Sequence, residues 1–404
     1  MDLRKKLSRR KPAEDTPKSP PGPTVPAGLS WPMEDLSTPF GTLYGRVFKH
    51  GARGRHGVVP LARGLGARGR ALATLALDPR LEGFDPEGAL FLDTETTGLS
   101  VGAATLAFLV GLGAYEDGCL QVEQVFLEEP AEETALLERV RHRVEACRTL
   151  VTFNGKSYDL PLLRARFVLA GLEPLPERPH LDLLHLARRV YGDRVERCRL
   201  VHLEREVLGF ERDEDIAGEE IPERYQAFLL RGDREGLLPV LAHNVLDVSA
   251  LAALLGELSA RASREPTEGR FEPEDRQALA RTALRAGEVR FALTLAEEVT
   301  HAGRSSPELR RDAHALMARV HHKNRDHGAE RDRLLAALAL CPSDPKLHLK
   351  LSQCFERLPD GLSKALEHGL RSSGAEPEDA RARRLARLLK RVEGARRQLR
   401  LPGF

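Results

Sequence analysis

Ala89-Leu90-Phe91-Leu92-Asp93-Thr94-Glu95-Thr96-Thr97-Gly98 is an apolar run that closes on two carboxylates one residue apart. Its first half reads as a buried strand. Strand side chains alternate between faces, so Asp93 and Glu95 share one side and Thr94 takes the other. Two like charges held that close repel unless a cation lies between them. Hard divalent ions such as Mg²⁺ and Mn²⁺ prefer oxygen donors of this kind. Asp-x-Glu also arises by chance on solvated turns, so the metal reading depends on whether further acids converge on it.

Two downstream stretches supply them. Thr152-Phe153-Asn154-Gly155-Lys156-Ser157-Tyr158-Asp159 places Asp159 just past an apolar strand, at the start of a helix. Helix capping is its ordinary reading. His243-Asn244-Val245-Leu246-Asp247 places a base and an acid four residues apart, on one face of a helix whose apolar side is Leu241, Val245, Val248 and Leu251. A lone His on such a helix is usually structural; one turn from a carboxylate it reads as a base beside a metal ligand.

The pattern around these stretches gives the fold. Residues 1–28 are rich in Lys, Arg, Pro and Ser without apolar period, and disorder is expected there. Residues 29–87 read as a Gly-punctuated lead-in of loops with a short strand or two. From residue 88 the order becomes regular. Strands are expected at 90–94, 104–115, 120–127 and 149–153, with helices at 132–147, 160–170, 181–191, 200–208, 223–230 and 237–258. Early strands close in sequence pair antiparallel. A later strand returning through a helix lies parallel to the first, which puts the ends bearing Asp93 and Asp159 side by side. This is the arrangement of an α/β ribonuclease H-like domain, a mixed five-stranded sheet with helices, assigned to residues 88–261.

Residues 262–404 are rich in Ala, Leu and Arg. Pro273, Pro307, Pro345 and Pro377 recur at intervals of 34, 38 and 32 residues, with two helical stretches in each interval. That period reads as an all-α, tetratricopeptide-like helical repeat; an ordinary helical bundle is the plainer alternative. Residues 380–398 read as a basic terminal helix able to meet phosphates.

Composition narrows the classes. The chain has 404 residues, is 41% hydrophobic and 30% charged, and carries a formal net charge of +2, so bulk charge does not announce a nucleic-acid binder. Local charge is more suggestive: residues 46–70 hold Arg46, Lys49, Arg53, Arg55, Arg63, Arg68 and Arg70 with no acid, a run able to hold phosphates, though such runs are more often solvated loops. Five cysteines without a CxxC pair argue against a disulfide framework and a structural zinc site, and fit a reducing interior. No apolar segment follows the basic N-terminus, and the run 103–115 is too short to span a bilayer. A cytoplasmic protein without membrane contact is expected.

Asp93-x-Glu95, Asn154-x-x-x-Tyr158-Asp159 and His243-x-x-x-Asp247 together resemble the DEDD superfamily of 3′→5′ exonucleases, with spacing closest to the proofreading domains of family B DNA polymerases. The chain is also similar to a bacterial family of ribonuclease H-like exonucleases. That family shows, in the same order, Arg197-Cys198-Arg199-Leu200, Leu203-Glu204-Arg205-Glu206-Val207-Leu208-Gly209, Glu219-Glu220-Ile221-Pro222 and His243-Asn244. The resemblance covers about residues 37–258. In one respect the chain departs from the superfamily: it carries His at the shorter spacing that usually carries Tyr.

The resemblance implies a phosphodiester hydrolase acting on single-stranded DNA or RNA. Asp93, Glu95, Asp159 and Asp247 would hold two divalent cations, Mg²⁺ or Mn²⁺, and His243 would take the proton of water. Thr94, Thr96 and Gly98 would lie by the terminal nucleotide, and Asn154 would position backbone or phosphate. Asp182 is a further candidate by position, with a helix cap as its other reading. A structure-selective endonuclease and a non-catalytic scaffold on the same fold are the competing functions. The helical repeats would recruit a protein partner.

Overall fold

The computed structural model describes residues 32–98, 105–213 and 215–399; the tail expected at 1–28 lies outside them. Nine strands run in chain order among the described residues. They are β1 (Glu34–Thr38), β2 (Gly41–Lys49), β3 (Arg55–His56), β4 (Val59–Pro60), β5 (Ala89–Thr96), β6 (Ala107–Glu116), β7 (Cys119–Phe126), β8 (Thr149–Thr152) and β9 (His180–Asp182). Seven form one sheet in the order β1-β2-β7-β6-β5-β8-β9, and β3 pairs with β4 alone. β5, β8 and β9 run parallel, with Phe91 opposite Val151 and Val151 opposite Leu181. The remaining neighbours are antiparallel. The domain is ribonuclease H-like, and the expected parallel return of β8 beside β5 brings their C-terminal ends together.

The sheet has seven strands rather than five. The two extra ones come from the lead-in, where a short strand or two was expected outside the sheet domain: β2 pairs with β7 from Tyr44↔Phe126 to Lys49↔Gln121, and β1 closes the edge. Only Leu43 and Gly45 of β2 are buried, so it lacks the apolar alternation that marks a strand. The helix expected from 181 starts later. Residues 180–182 are β9, and three residues are too few to show a period.

The helices before the C-terminal region are α1 (Gly69–Ala76), α2 (Glu133–Ala146), α3 (Asp159–Leu169), α4 (Leu183–Tyr191), α5 (Leu200–Leu203), α6 (Ile221–Arg231) and α7 (Leu238–Ser263). They cover both faces of the sheet. Phe91, Tyr115 and Val122 pack with α1, α4 and α7. Leu90, Leu92 and Val125 pack with α2, α3 and α6. The alternation along β5 therefore sends Asp93 and Glu95 to the α7 face and Thr94 to the α3 face.

α7 is the helix expected at 237–258, and it runs five residues further, to Ser263. Within Glu235–Ser263 an 18-residue stretch has a mean hydropathy of 1.7, long and apolar enough to cross a bilayer, yet two-thirds of that stretch is buried inside the protein. Here it is a core helix. It approaches β6 closely because Gly111 and Gly113 face it. A Cβ at Gly111 would lie 2.4 Å from Asn244 Oδ1, and one at Gly113 would lie 2.5 Å from Val248 Cγ1.

The C-terminal region is helical throughout its described part: α8 (Pro273–Arg285), α9 (Val289–His301), α10 (Pro307–Lys323), α11 (His327–Leu340), α12 (Pro345–Phe355), α13 (Leu362–Leu370) and α14 (Glu378–Leu399). The recurring prolines are explained by position. Pro273, Pro307 and Pro345 are first residues of helices, where a missing N–H costs nothing.

This region is not set apart from the sheet. One apolar core runs from Phe91 through Leu255 and Leu258 into Leu279, Leu295 and Met317. Arg194 grips the fully buried Asp275 through a 2.8 Å contact. The basic run 46–70 serves the same junction: Arg63 pairs with Glu268, Arg68 with Glu265 and Arg70 with Glu288. Arg46 turns inward to Gln124. α14 likewise spends its charge locally: Arg381 pairs with Glu378, Arg384 with Glu376, and Arg387 and Arg391 with Glu356.

A chain ending at residue 261 strips α8–α10 from this core. We expect it to melt well below the full chain and to self-associate, read by thermal circular dichroism and size-exclusion chromatography. A monomer with unchanged melting would show the sheet core to be self-sufficient.

Candidate active site

Four carboxylates meet where β5 ends. Asp93 Oδ2 accepts a 2.9 Å hydrogen bond from Asn244 Nδ2 of α7. Asn244 is itself fixed by Gln124 of β7, whose Nε2 donates to Asn244 Oδ1 and to the Leu241 carbonyl, both at 2.9 Å. Both amides are fully buried, so the orientation of Asp93 is set from inside the core. Asp159 is the first residue of α3, and Thr94 Oγ1 donates to its Oδ1 at 2.6 Å. Glu95 is 8% exposed, and its Oε1 is buried with no hydrogen-bond partner among the described residues.

The proximity of these acids shows in their proton affinities. Burial first, then Asp247, Glu95 and Asp159, pushes Asp93 well above the usual carboxylate range. Burial, with Asp247 and Asp159 adding to it, pushes Glu95 up to about 8 against the opposing charge of His243. Burial lifts Asp159 to about 6, although the Thr94 hydrogen bond opposes it. Burial is the common and largest cause, and neighbouring acids add to it at Asp93 and Glu95.

His243 and Asp247 lie one turn apart on α7, with His243 Nε2 3.5 Å from Asp247 Oδ2. The other ring nitrogen, Nδ1, lies 2.7 Å from Asp215 Oδ1. Burial favours the neutral ring, but Asp247, Asp215 and Glu95 outweigh it and raise His243 to about 10. Behind this pair stands Arg212, whose side chain is 5% exposed. Its guanidinium pairs with Asp247, contacts Asp215 at 3.2 Å and grips Glu204 at 2.8 and 3.0 Å. Glu204 is fully buried and also meets His56 Nε2 at 2.7 Å.

Of the residues singled out in the sequence, Asp93, Glu95, Asp159, His243 and Asp247 come together. The four substrate-side candidates, Thr94, Thr96, Gly98 and Asn154, make contacts within the protein. Thr94 holds Asp159. Thr96 donates to the Gly98 carbonyl at 2.7 Å, so Thr96 and Gly98 form the turn that leaves β5. Asn154 adopts a left-handed φ of 66° at the end of β8, and its N–H donates to Asp182. Asp182 is a buried cap: it accepts from Leu184 N at 3.1 Å and also from Asn154 N and Lys156 N. The sequence reading missed Asp215, Arg212, His56, Gln124 and the tie made by Asn244. It quoted Glu204 and Asn244 in motifs but gave neither a role.

The donors suit a hard divalent ion. Four oxygen-bearing acids, one with an unpartnered buried oxygen and three holding protons too tightly, form a cradle that a cation relieves. Arg212 and His243 offset part of the charge from one side. Replacing Arg212 with Met leaves Glu204 buried without its guanidinium. A loss of about 3–5 kcal/mol is expected, the usual cost of breaking a buried pair from one side. Urea unfolding monitored by circular dichroism reads it, and a change under 1 kcal/mol would remove Arg212 from this role.

Residues 90–259 match the family model of the RNase H superfamily. The YprB protein of Bacillus subtilis (strain 168), itself uncharacterized, is 37% identical over 180 residues, which is 44% of this chain and 43% of that protein. The chain thus spans under half the length of that relative. The family B DNA polymerase of the archaeon Pyrobaculum calidifontis aligns at 16% identity over 51% of this chain and 30% of that one, with a TM-score of 0.34. Over residues 90–259 the chain is thus similar to the ribonuclease H superfamily and has a ribonuclease H-like fold.

Proposed function

We propose that this protein is a metal-dependent 3′→5′ exonuclease that hydrolyses phosphodiester bonds of single-stranded DNA or RNA. The observation that carries the reading is the convergence of Asp93 and Glu95 from β5, Asp159 from α3 and Asp247 from α7 beside the imidazole of His243. Asp93, Glu95, Asp159 and Asp247 would hold two divalent cations, Mg²⁺ or Mn²⁺, which supply the positive charge that acidifies water and neutralises phosphate.

The protein's own groups do the rest. Asn244 and Thr94 keep Asp93 and Asp159 in fixed orientations. Asp215 holds Nδ1 of His243, which leaves Nε2 turned toward Asp247 and the site. In that pose His243 removes the proton of the attacking water. It keeps its own proton while the four acids are uncompensated, and charge compensation on those acids removes the field that raises it. Arg212 fixes Asp215 and Asp247 together, so base and ligand move as one unit. The helical region, read as tetratricopeptide-like from its proline-marked helices, serves to recruit a protein partner.

End-labelled single strands of DNA and RNA, with free or blocked 3′ ends, test the reaction in Mn²⁺ and in EDTA. Stepwise shortening that needs Mn²⁺ and a free 3′ end is expected. Internal cuts in blocked strands would favour the endonuclease reading. Asp93→Asn should fall to background and lose the rise in melting temperature that Mn²⁺ gives the parent chain. His243→Ala should lower kcat by about 10²–10⁴-fold with Mn²⁺ binding retained. An Asp93→Asn protein with normal turnover would overturn the assignment.

A further inference from the structure

A second group of metal-type donors lies between α10 and α11, away from the carboxylates of β5. His322 sits at the end of α10, His327 opens α11, and Glu330 follows three residues later. Glu330 is 5% exposed, and each of its oxygens faces a different ring. Oε1 lies 3.0 Å from Nδ1 of His322, and Oε2 lies 2.9 Å from Nδ1 of His327. One donor atom from each of the three residues lies within 4.8 Å of the others. The two rings stand 6.1 Å apart at 55°, splayed around the carboxylate rather than stacked on each other.

The donor chemistry selects the ion. Two imidazoles and one carboxylate are a borderline set that suits Zn²⁺, unlike the all-oxygen set at the end of β5. Bonds of ~2.0–2.2 Å in a tetrahedron put ligand atoms roughly 3.4 Å apart, and the donor atoms here lie within 4.8 Å of one another, so binding requires a side-chain adjustment of about an ångström. The buried thiol of Cys354 on α12 lies beside the cluster, donating to the His327 carbonyl at 3.3 Å and facing Glu330. His322 is half exposed, so the fourth position opens to solvent.

We propose that His322, His327 and Glu330 form a Zn²⁺-binding site, with water as fourth ligand, that clips α10 to α11. The site closes the turn between two helices with a bond set that hydrogen bonds alone make more weakly. It owes nothing to the nuclease reading: its ligands lie on other elements, and its metal is of another class.

The test uses the full-length chain, metal-free, titrated with Zn²⁺ against a chromophoric chelator, and with Co²⁺ followed by visible absorption. Asp93→Asn is titrated in parallel to separate this site from the acids of β5. One Zn²⁺ that persists in Asp93→Asn, weakens at least tenfold in His322→Ala and His327→Ala, and raises the melting temperature is expected. Co²⁺ should give the intense visible bands of a four-coordinate site. His322→Ala removes a half-exposed ring, so its fold can be checked by metal-free circular dichroism. Equal Zn²⁺ affinity in both His variants, or no binding beyond what Asp93→Asn removes, would overturn the proposal. Loss of nuclease activity with this binding intact would bear only on the function proposed above.

Discussion

Four carboxylates crowded into one largely desolvated spot are the constraint that the rest of this structure answers. Asp93, Glu95 and Asp159 all hold protons more tightly than free acids, burial being the first cause in each and neighbouring acids adding to it at Asp93 and Glu95. Such a cluster stays in place only if each member is tied to something rigid. Asp93 is tied through Asn244 and Gln124, Asp159 through Thr94, and Asp247 through Arg212. Glu95 alone keeps an oxygen without a partner among the described residues. The ties come from the protein, and the missing positive charge is what a divalent ion would bring.

Those ties need α7 close to the sheet. Gly111 and Gly113 remove the side chains that would hold it off, and an alanine at Gly111 would strike Asn244, which orients Asp93. The same close approach buries the middle of α7 so completely that its sequence passes for a membrane span by length and hydropathy. Two of the polar residues it brings to the sheet, Asn244 and Asp247, each have a partner waiting. Burying a polar group is tolerable only on that condition.

Much of this was legible in the chain. β5 announced itself by its apolar run and its alternating acids, and the parallel return of β8 followed from connection rules. The three acidic motifs sat where those rules place a ligand site. What was hidden has physical causes. β2 buries only Leu43 and Gly45, so no alternation betrayed it. The basic run 46–70 looked like a phosphate surface because its partners, Glu265, Glu268 and Glu288, lie some two hundred residues away. Asp215 comes from a loop with no period, and only the fold brings it to His243. Thr94 was placed on the correct face, but its hydroxyl is committed to Asp159.

α7 also joins the two halves of the molecule. Asp247 lies in its N-terminal half, and Arg261, near its end, pairs with Glu257 and holds the Gly269 carbonyl at the entrance to the helical region. Fourteen residues of helix separate Asp247 from Arg261, about 21 Å at 1.5 Å per residue. Leu254, Leu255 and Leu258 fill the intervening surface and pack into the same core as Leu279 and Leu295. A helix packed along its whole length transmits position, not just proximity. The placement of Asp247 therefore depends on contacts that α8 and α9 make, even though neither carries a residue of the acidic cluster. The helical region is a structural part of the site by way of the helix that both share.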